Sequence, residues 1–258
     1  VWIMAYTTID DPTQYFVTVL YTGNDTARTI TTGLETTDFI WNKRRDSSGD
    51  HLLYDKVRGI NIDLNSNSTE ADETQTGTVT AFGTNSFSLG THGGTNASGE
   101  TKVNWCWSAG GTTGSSNSNG SITSTVSANT TAGFSIVSYS GNGTSGATVG
   151  HGLGVVPKMI IVKRRDSARN WTVYHQGTAN THGLTLNTAD AKVDSDSYWN
   201  DTTPSSTLFT LGNGSNVNNG SGTYIAYCFA EIKGYSKFGS YTGNGNADGA
   251  FVYTGFKP

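Results

Sequence analysis

The sequence predicts an all-β protein built from tandem β-sandwich domains of jelly-roll type. Three observations predict it. Gly supplies 33 of the 258 residues, and Ser, Thr and Asn are abundant. Gly accepts positive φ and Asn or Ser can bond nearby backbone, so these residues suit turns and make poor helices. The ordered stretches alternate apolar with polar residues and are rich in Val, Ile, Thr, Tyr and Trp, while no window carries a helical apolar stripe. The third observation is an internal repeat.

Phe39-Ile40-Trp41-Asn42-Lys43-Arg44-Arg45-Asp46-Ser47 recurs 120 residues later as Met159-Ile160-Ile161-Val162-Lys163-Arg164-Arg165-Asp166-Ser167. Tyr54 matches Tyr174 at the same offset. Upstream, Tyr21-Thr22-Gly23-Asn24 matches Tyr139-Ser140-Gly141-Asn142, and downstream Val103-Asn104-Trp105-Cys106-Trp107 matches Ile225-Ala226-Tyr227-Cys228-Phe229. Four blocks in one order at nearly constant spacing imply duplicated domains.

Taken along the chain, Trp2-Ile3-Met4-Ala5-Tyr6 reads as the closing strand of a preceding unit, residues 1–14. Copy one covers 15–110, with strands expected near 15–21, 38–46, 51–57, 60–64, 78–82, 85–89 and 102–108. Residues 111–132, which open on Gly111-Thr112-Thr113-Gly114-Ser115-Ser116-Asn117-Ser118-Asn119-Gly120, read as a polar linker. Copy two covers 133–234, with strands near 133–139, 158–166, 170–176, 183–187, 206–211 and 223–232. In each copy a short polar turn, Ser47-Ser48-Gly49-Asp50 or Ser167-Ala168-Arg169, marks a β-hairpin. Tyr241-Thr242-Gly243-Asn244 opens a third copy, 235–258, which stops before its Lys-Arg-Arg-Asp strand, so both ends read as cuts through a longer polypeptide.

Composition excludes several functions. Charged residues are 14% and the net charge is −4, which does not suit a phosphate-binding surface and gives no nucleic-acid partner. No apolar run is long enough to span a bilayer, so no membrane insertion is expected. Cys106 and Cys228 occupy matching places in different copies, so they are expected to be buried, unpaired thiols.

The Lys-Arg-Arg-Asp block is the most specific local feature. Arg44 and Arg164 are candidate contacts for an anion or a sugar acid, because the guanidinium fork grips carboxylates. The favoured alternative is structural. Strand alternation places Lys163 and Arg165 on one face, and Arg164 and Asp166 on the other, where such residues fix hairpin register. Among aromatics, Trp171 and Tyr174 read as core. Tyr198 and Trp199 lie in the polar stretch Asp194–Asp201 and are expected in an exposed loop. They are the candidate sugar platform, weighed against packing. Asp190, Asp194, Asp196 and Asp201 cluster there too, but their spacing does not follow the calcium-loop pattern, and a solvated acidic loop is preferred. His51, His92, His151, His175 and His182 form no metal motif. No nucleophile elbow, phosphate loop or repeated carboxylate pair appears. The expectation is therefore no enzyme, no cofactor and no metal.

Copy two resembles repeated modules of virion proteins from marine phages of cyanobacteria and abundant oceanic bacteria. The residues that carry the resemblance are Gly133-Phe134, Tyr139-Ser140-Gly141-Asn142-Gly143, Gly152-Leu153-Gly154, Pro157, Ile160–Asp166, Trp171, Tyr174 and Tyr224–Phe229, with the joining segment Gly234–Asn244. Copy one departs from it, with Glu35-Thr36-Thr37 where copy two reads Gly154-Val155-Val156-Pro157, and it lacks the Pro. The resemblance implies a structural protein on the virion surface, a tail-fibre segment in host attachment. Its implied partners are other copies of itself, as a homotrimer, other virion proteins, and a host glycan or protein receptor. It assigns no binding residues. A duplicated carbohydrate-binding module and a capsid-surface decoration protein are the alternatives.

Overall fold

The computed structural model describes residues 7–256. The expected strand in Trp2–Tyr6 lies outside the described residues. In chain order the first half contains β1 (Phe16–Thr22), β2 (Arg28–Thr31), β3 (Phe39–Arg44), β4 (His51–Asp55), β5 (Ile62–Asn65), β6 (Glu73–Thr74), β7 (Val79–Phe82), β8 (Ser86–Leu89), the single turn α1 (Gly93–Asn96) and β9 (Thr101–Trp107). The second half contains β10 (Ser115–Asn117), β11 (Ser124–Asn129), β12 (Phe134–Ser140), β13 (Ala147–Gly150), β14 (Pro157–Arg164), β15 (Thr172–His175), β16 (His182–Thr185), β17 (Val193–Asp194), the single turn α2 (Asp196–Trp199), β18 (Leu208–Leu211) and β19 (Thr223–Ala230). The class is all-β, as the composition predicts.

The pairings between these strands are antiparallel. One sheet runs β1-β9-β3-β4-β5-β6 and another runs β10-β11-β12-β19-β14-β15-β16-β17. From β12 onward the second repeats the strand order of the first. Both hairpins marked by the Lys-Arg-Arg-Asp blocks form, β3 with β4 and β14 with β15. A small sheet backs each large one, β2-β8-β7 in the first half and β13-β18 in the second.

The expected linker at 111–132 is corrected by the structure. It contains β10 and β11, which extend the second large sheet beyond β12. Ile122 and Val126 are buried in the core of the second half. The alternation Ile122-Thr123-Ser124-Thr125-Val126 carries enough apolar surface to hold this edge, although the polar run before it hides the signal. Gly120 permits the close approach, since a Cβ there would lie 2.3 Å from the Thr148 carbonyl oxygen.

Three apolar cores separate four sheet layers. The first lies between the small sheet of the first half and its large sheet, and includes Ile30, Ile40, Tyr54, Phe87, Leu89 and Cys106. The last lies between the second large sheet and β13, β18 and α2, and includes Val149, Ile160, Tyr174, Phe209 and Cys228. The middle core joins the two large sheets. There Phe39, Leu53 and Leu64 meet Phe134, Ile161, Val173 and Tyr227. The Phe39 ring lies 4.5 Å from that of Tyr227 and 5.7 Å from that of Phe134. Strand alternation produces this arrangement, because Ile40 and Tyr54 point into one core while Phe39 and Leu53 point into the other. Both faces of each large sheet are thus covered with apolar side chains. The two thiols are unpaired and buried in different cores, as expected.

Polar contacts cross the middle core. Asp55 and Arg58 are buried and paired, with Nε 2.5 Å from Oδ2, and the Tyr227 hydroxyl donates to the same carboxylate at 2.8 Å. Arg58 also donates to the carbonyls of Leu53 and Ile62. The Trp171 indole donates to the carbonyl of Asn65 at 3.0 Å.

Candidate functional site

The Arg candidates occupy equivalent places and are held by neighbouring acids. Arg164 pairs with Asp166 at 2.7 Å, and Arg44 pairs with Asp46 at 2.7 Å and also with Glu100. Asp166 accepts in turn from the Thr223 amide, and Asp46 from the Thr101 amide. These contacts tie the end of the β3 or β14 strand to β9 or β19, not to the hairpin partner β4 or β15. Hydrogen bonds from the Arg side chains hold both carboxyls, Asp46 and Asp166, below the usual range. On the opposite face Lys163 is buried and donates to the Thr69 carbonyl, while Arg165 pairs with Asp72 at 2.6 Å. Both therefore serve the contact between the halves. Burial pulls the Lys163 ammonium down to about 8.

The aromatic candidates are corrected. Trp199 is 1% exposed and belongs to the core of the second half. Its ring meets that of Tyr174 edge-on at 5.8 Å. Tyr198 is partly buried against the same core. The polar run Asp194–Ser197 led to an expected exposed loop. Instead, Ser195 caps α2 through its hydroxyl, and the turn swings both rings inward. Tyr198 lies over Gly183, where a Cβ would stand 2.6 Å from its Cδ2 atom. No sugar platform exists at these two residues. Among the described residues no group of three or more His, Cys, Asp or Glu is placed to hold a metal ion.

The structure brings together a different set of residues, at the open edge of the first half. β5 alternates so that Leu64 enters the middle core while Asp63 and Asn65 face the opposite side. β6 pairs with β5 so that Glu73 stands directly opposite Asp63. With His92 before α1 and Lys102 on β9, these residues line a cleft of about 460 Å³. Arg44 reaches its rim, the one sequence candidate that lines it.

The charges in this cleft are divided. Lys102 donates to Glu100 at 2.7 Å and to the Gly94 carbonyl at 2.8 Å, and Arg44 also turns to Glu100. Both cations are thus engaged on one side. On the other side Asp63 and Glu73 are neighbouring carboxylates, and like charges directly opposite across a strand pair repel. Asp63 is 8% exposed, and its Oδ1 is buried without a hydrogen-bond partner. The Asn65 Oδ1 is in the same condition, although its amide donates to Glu70. Burial pushes the Asp63 carboxyl up to about 6, opposed by Arg58 and reinforced by Glu73.

Copy two lacks this arrangement. At the 120-residue offset Asp63 becomes Gly183, Glu73 becomes Val193 and Thr78 becomes Tyr198. The side chain of Tyr198 lies where a side chain at position 183 would stand. Elsewhere the two copies keep their polar anchors. Asn96 donates to the carbonyls of Thr26 and Gly90, and Asn218 to those of Thr144 and Gly212. The Tyr21 hydroxyl donates to the Thr95 carbonyl, and that of Tyr139 to the Val217 carbonyl. The cleft is therefore a local departure within a shared framework. Sequence reasoning passed over it because Asp63, Glu73 and His92 form no motif. Comparing the copies for charge that is not shared gives the missing signal.

A model for a domain of unknown function, DUF7483, matches residues 11–258. The chain belongs to this family. The DUF7483 match runs through both large sheets and the segment between them, so one family pattern includes the duplication. Comparisons with curated proteins and with solved structures gave no match.

Proposed function

We propose that this DUF7483 chain is a non-catalytic structural segment of a phage virion, a tail-fibre piece exposed on the particle surface that takes part in host attachment. The observation that carries the reading is the shared middle core. Two repeats that bury a common apolar interface act as one stiff unit, which suits an appendage that must transmit force. The resemblance of Ile160–Asp166 and Tyr224–Phe229 to phage surface modules supports the same reading. Tyr241, Phe251, Val252 and Tyr253 form exposed apolar surface, of the kind that neighbouring chains cover in an oligomer. Its partners on this reading are two further copies of itself, other virion proteins and a host receptor.

Light scattering coupled to size exclusion tests the oligomer. A species of three times the 27.3 kDa chain mass that persists on dilution is expected. A strict monomer overturns the trimeric fibre. It favours the second reading, a duplicated binding module, for which the cleft of copy one is the supporting observation.

A further inference from the structure

We propose that the cleft between β5–β6 and α1 binds the ammonium group of a small amino sugar, with Asp63 and Glu73 as its counter-ions. The inference goes beyond the structural reading and does not rest on oligomeric state, since every residue it uses lies within one chain.

Four observations carry it. Asp63 and Glu73 stand opposite each other on β5 and β6, so their repulsion is relieved when a cation sits between them. The Asp63 Oδ1 and the Asn65 Oδ1 are buried acceptors without partners, and a donor entering the cleft would satisfy what the fold leaves open. The intrinsic cations are taken, because Lys102 and Arg44 are bound to Glu100. Finally, copy two has neither acid, with Gly183 and Val193 at the matching positions and Tyr198 standing where a side chain at 183 would begin.

The size and chemistry of the lining select the ligand. A volume of about 460 Å³ accommodates a monosaccharide. Metal ions are disfavoured by the donor set, because among the described residues no three acidic or imidazole groups converge, whereas Ca²⁺ needs six to eight oxygens. An ammonium needs about three acceptors, which Asp63, Asn65 and Glu73 supply. Ser48, Gln75 and the backbone at Gly93 and Gly94 also line the cleft and offer partners to ring hydroxyls, and the carboxylates of Asp50 and Glu70 add to its negative charge. The groups facing Asp63 are Tyr54 on β4, Arg58 after β4, Glu73 on β6 and His92 before α1. With its titration near 6 under their influence, Asp63 is ionised at pH 7.5.

The test is calorimetric titration of the intact chain with glucosamine at pH 7.5 and low salt, with N-acetylglucosamine, glucose and Ca²⁺ as comparisons. Glucosamine is expected to bind at least tenfold more tightly than either neutral sugar. Asp63→Asn and Glu73→Gln should each weaken it tenfold or more. Glu73 is exposed on a two-residue edge strand, so that variant keeps the fold even if the Asp63 change does not. Equal binding of charged and neutral sugars, no binding of glucosamine, unchanged affinity in Glu73→Gln, or Ca²⁺ binding that displaces glucosamine overturns the proposal. A monomeric chain that still binds glucosamine separates this result from the fate of the fibre reading.

Discussion

His151 shows how single buried groups set the chemistry of this fold. It is fully buried, its Nδ1 accepts from the Leu153 amide at 3.2 Å, and its Nε2 lies 3.2 Å from the Ser205 carbonyl oxygen. That pattern fits a neutral ring with its proton on Nε2. Protonating Nδ1 would set a proton against the Leu153 N–H. Burial accordingly holds the His151 pKa below its ordinary value of 6.5. The unfolded chain then takes up a proton on acidification before the folded chain does, so this contribution to stability is intact above about pH 6.5 and is lost as pH falls below it. Urea unfolding at pH 7.5 and pH 5 should show a loss of stability in the wild type that His151→Gln reduces. Asp63 works in the opposite sense. Its raised carboxyl contributes stability below its ordinary 3.8, which is lost as pH rises through about 6. An unchanged pH slope in His151→Gln would show that the imidazole is solvated in the folded protein.

At the scale of elements, β7 and α2 stand at matching places in the two copies and carry different side chains over β5 and β16. In the first half Val79 begins a strand that pairs with β8, and Thr78 just precedes it. In the second half the matching residues Tyr198 and Trp199 close a helical turn capped by Ser195. Tyr198 then needs a residue without a side chain beneath it, and Gly183 supplies one. Gly183→Ala places a Cβ 2.6 Å from the ring and must displace it. The expected cost is about 1–3 kcal/mol, the range for overpacking, read as a lower urea midpoint with an unchanged denaturant slope. A neutral effect would mean that α2 shifts freely, and that the Tyr198 ring is not fixed by this contact.

On the scale of the whole molecule, the middle core makes the two repeats one thermodynamic unit. Phe39 from the first half touches Phe134 and Tyr227 from the second, and Asp55 of the first accepts from Tyr227 of the second. The Asp55–Arg58 pair is buried on both sides. Such a pair adds little net stability, and separating the halves would cost it the Tyr227 hydrogen bond. Calorimetry should therefore record one unfolding transition with matching calorimetric and van't Hoff enthalpies. Phe39→Ala should lower that single transition by about 3–5 kcal/mol, the range for an aromatic deletion in a core. Two resolved transitions, with only the first displaced by Phe39→Ala, would show that the halves fold separately.

The all-β class, the duplication and the two Arg-bearing hairpins were legible in the sequence, because turn chemistry and period-two alternation are local properties of the chain. Lys163 and Arg165 on one face and Arg164 on the other followed from the same period. The unpaired, buried thiols followed from the repeat, which sets Cys106 and Cys228 in different copies. Tertiary structure decided the rest. The segment 111–132 looked like a linker because its polar opening masks Ile122 and Val126, and only the free edge of β12 gives them a place to be buried. Tyr198 and Trp199 looked exposed because their neighbours are polar, yet a single capped turn buries Trp199 and packs Tyr198 partly against the same core. The cleft could not be read from spacing, since Asp63, Glu73 and His92 meet only through strand pairing and the position of α1. Alternation tells which face a side chain takes, but not what lies across from that face. For this protein the opposing layer supplies the middle core and covers the Asp55–Arg58 pair, while in-sheet pairing brings Asp63 and Glu73 together.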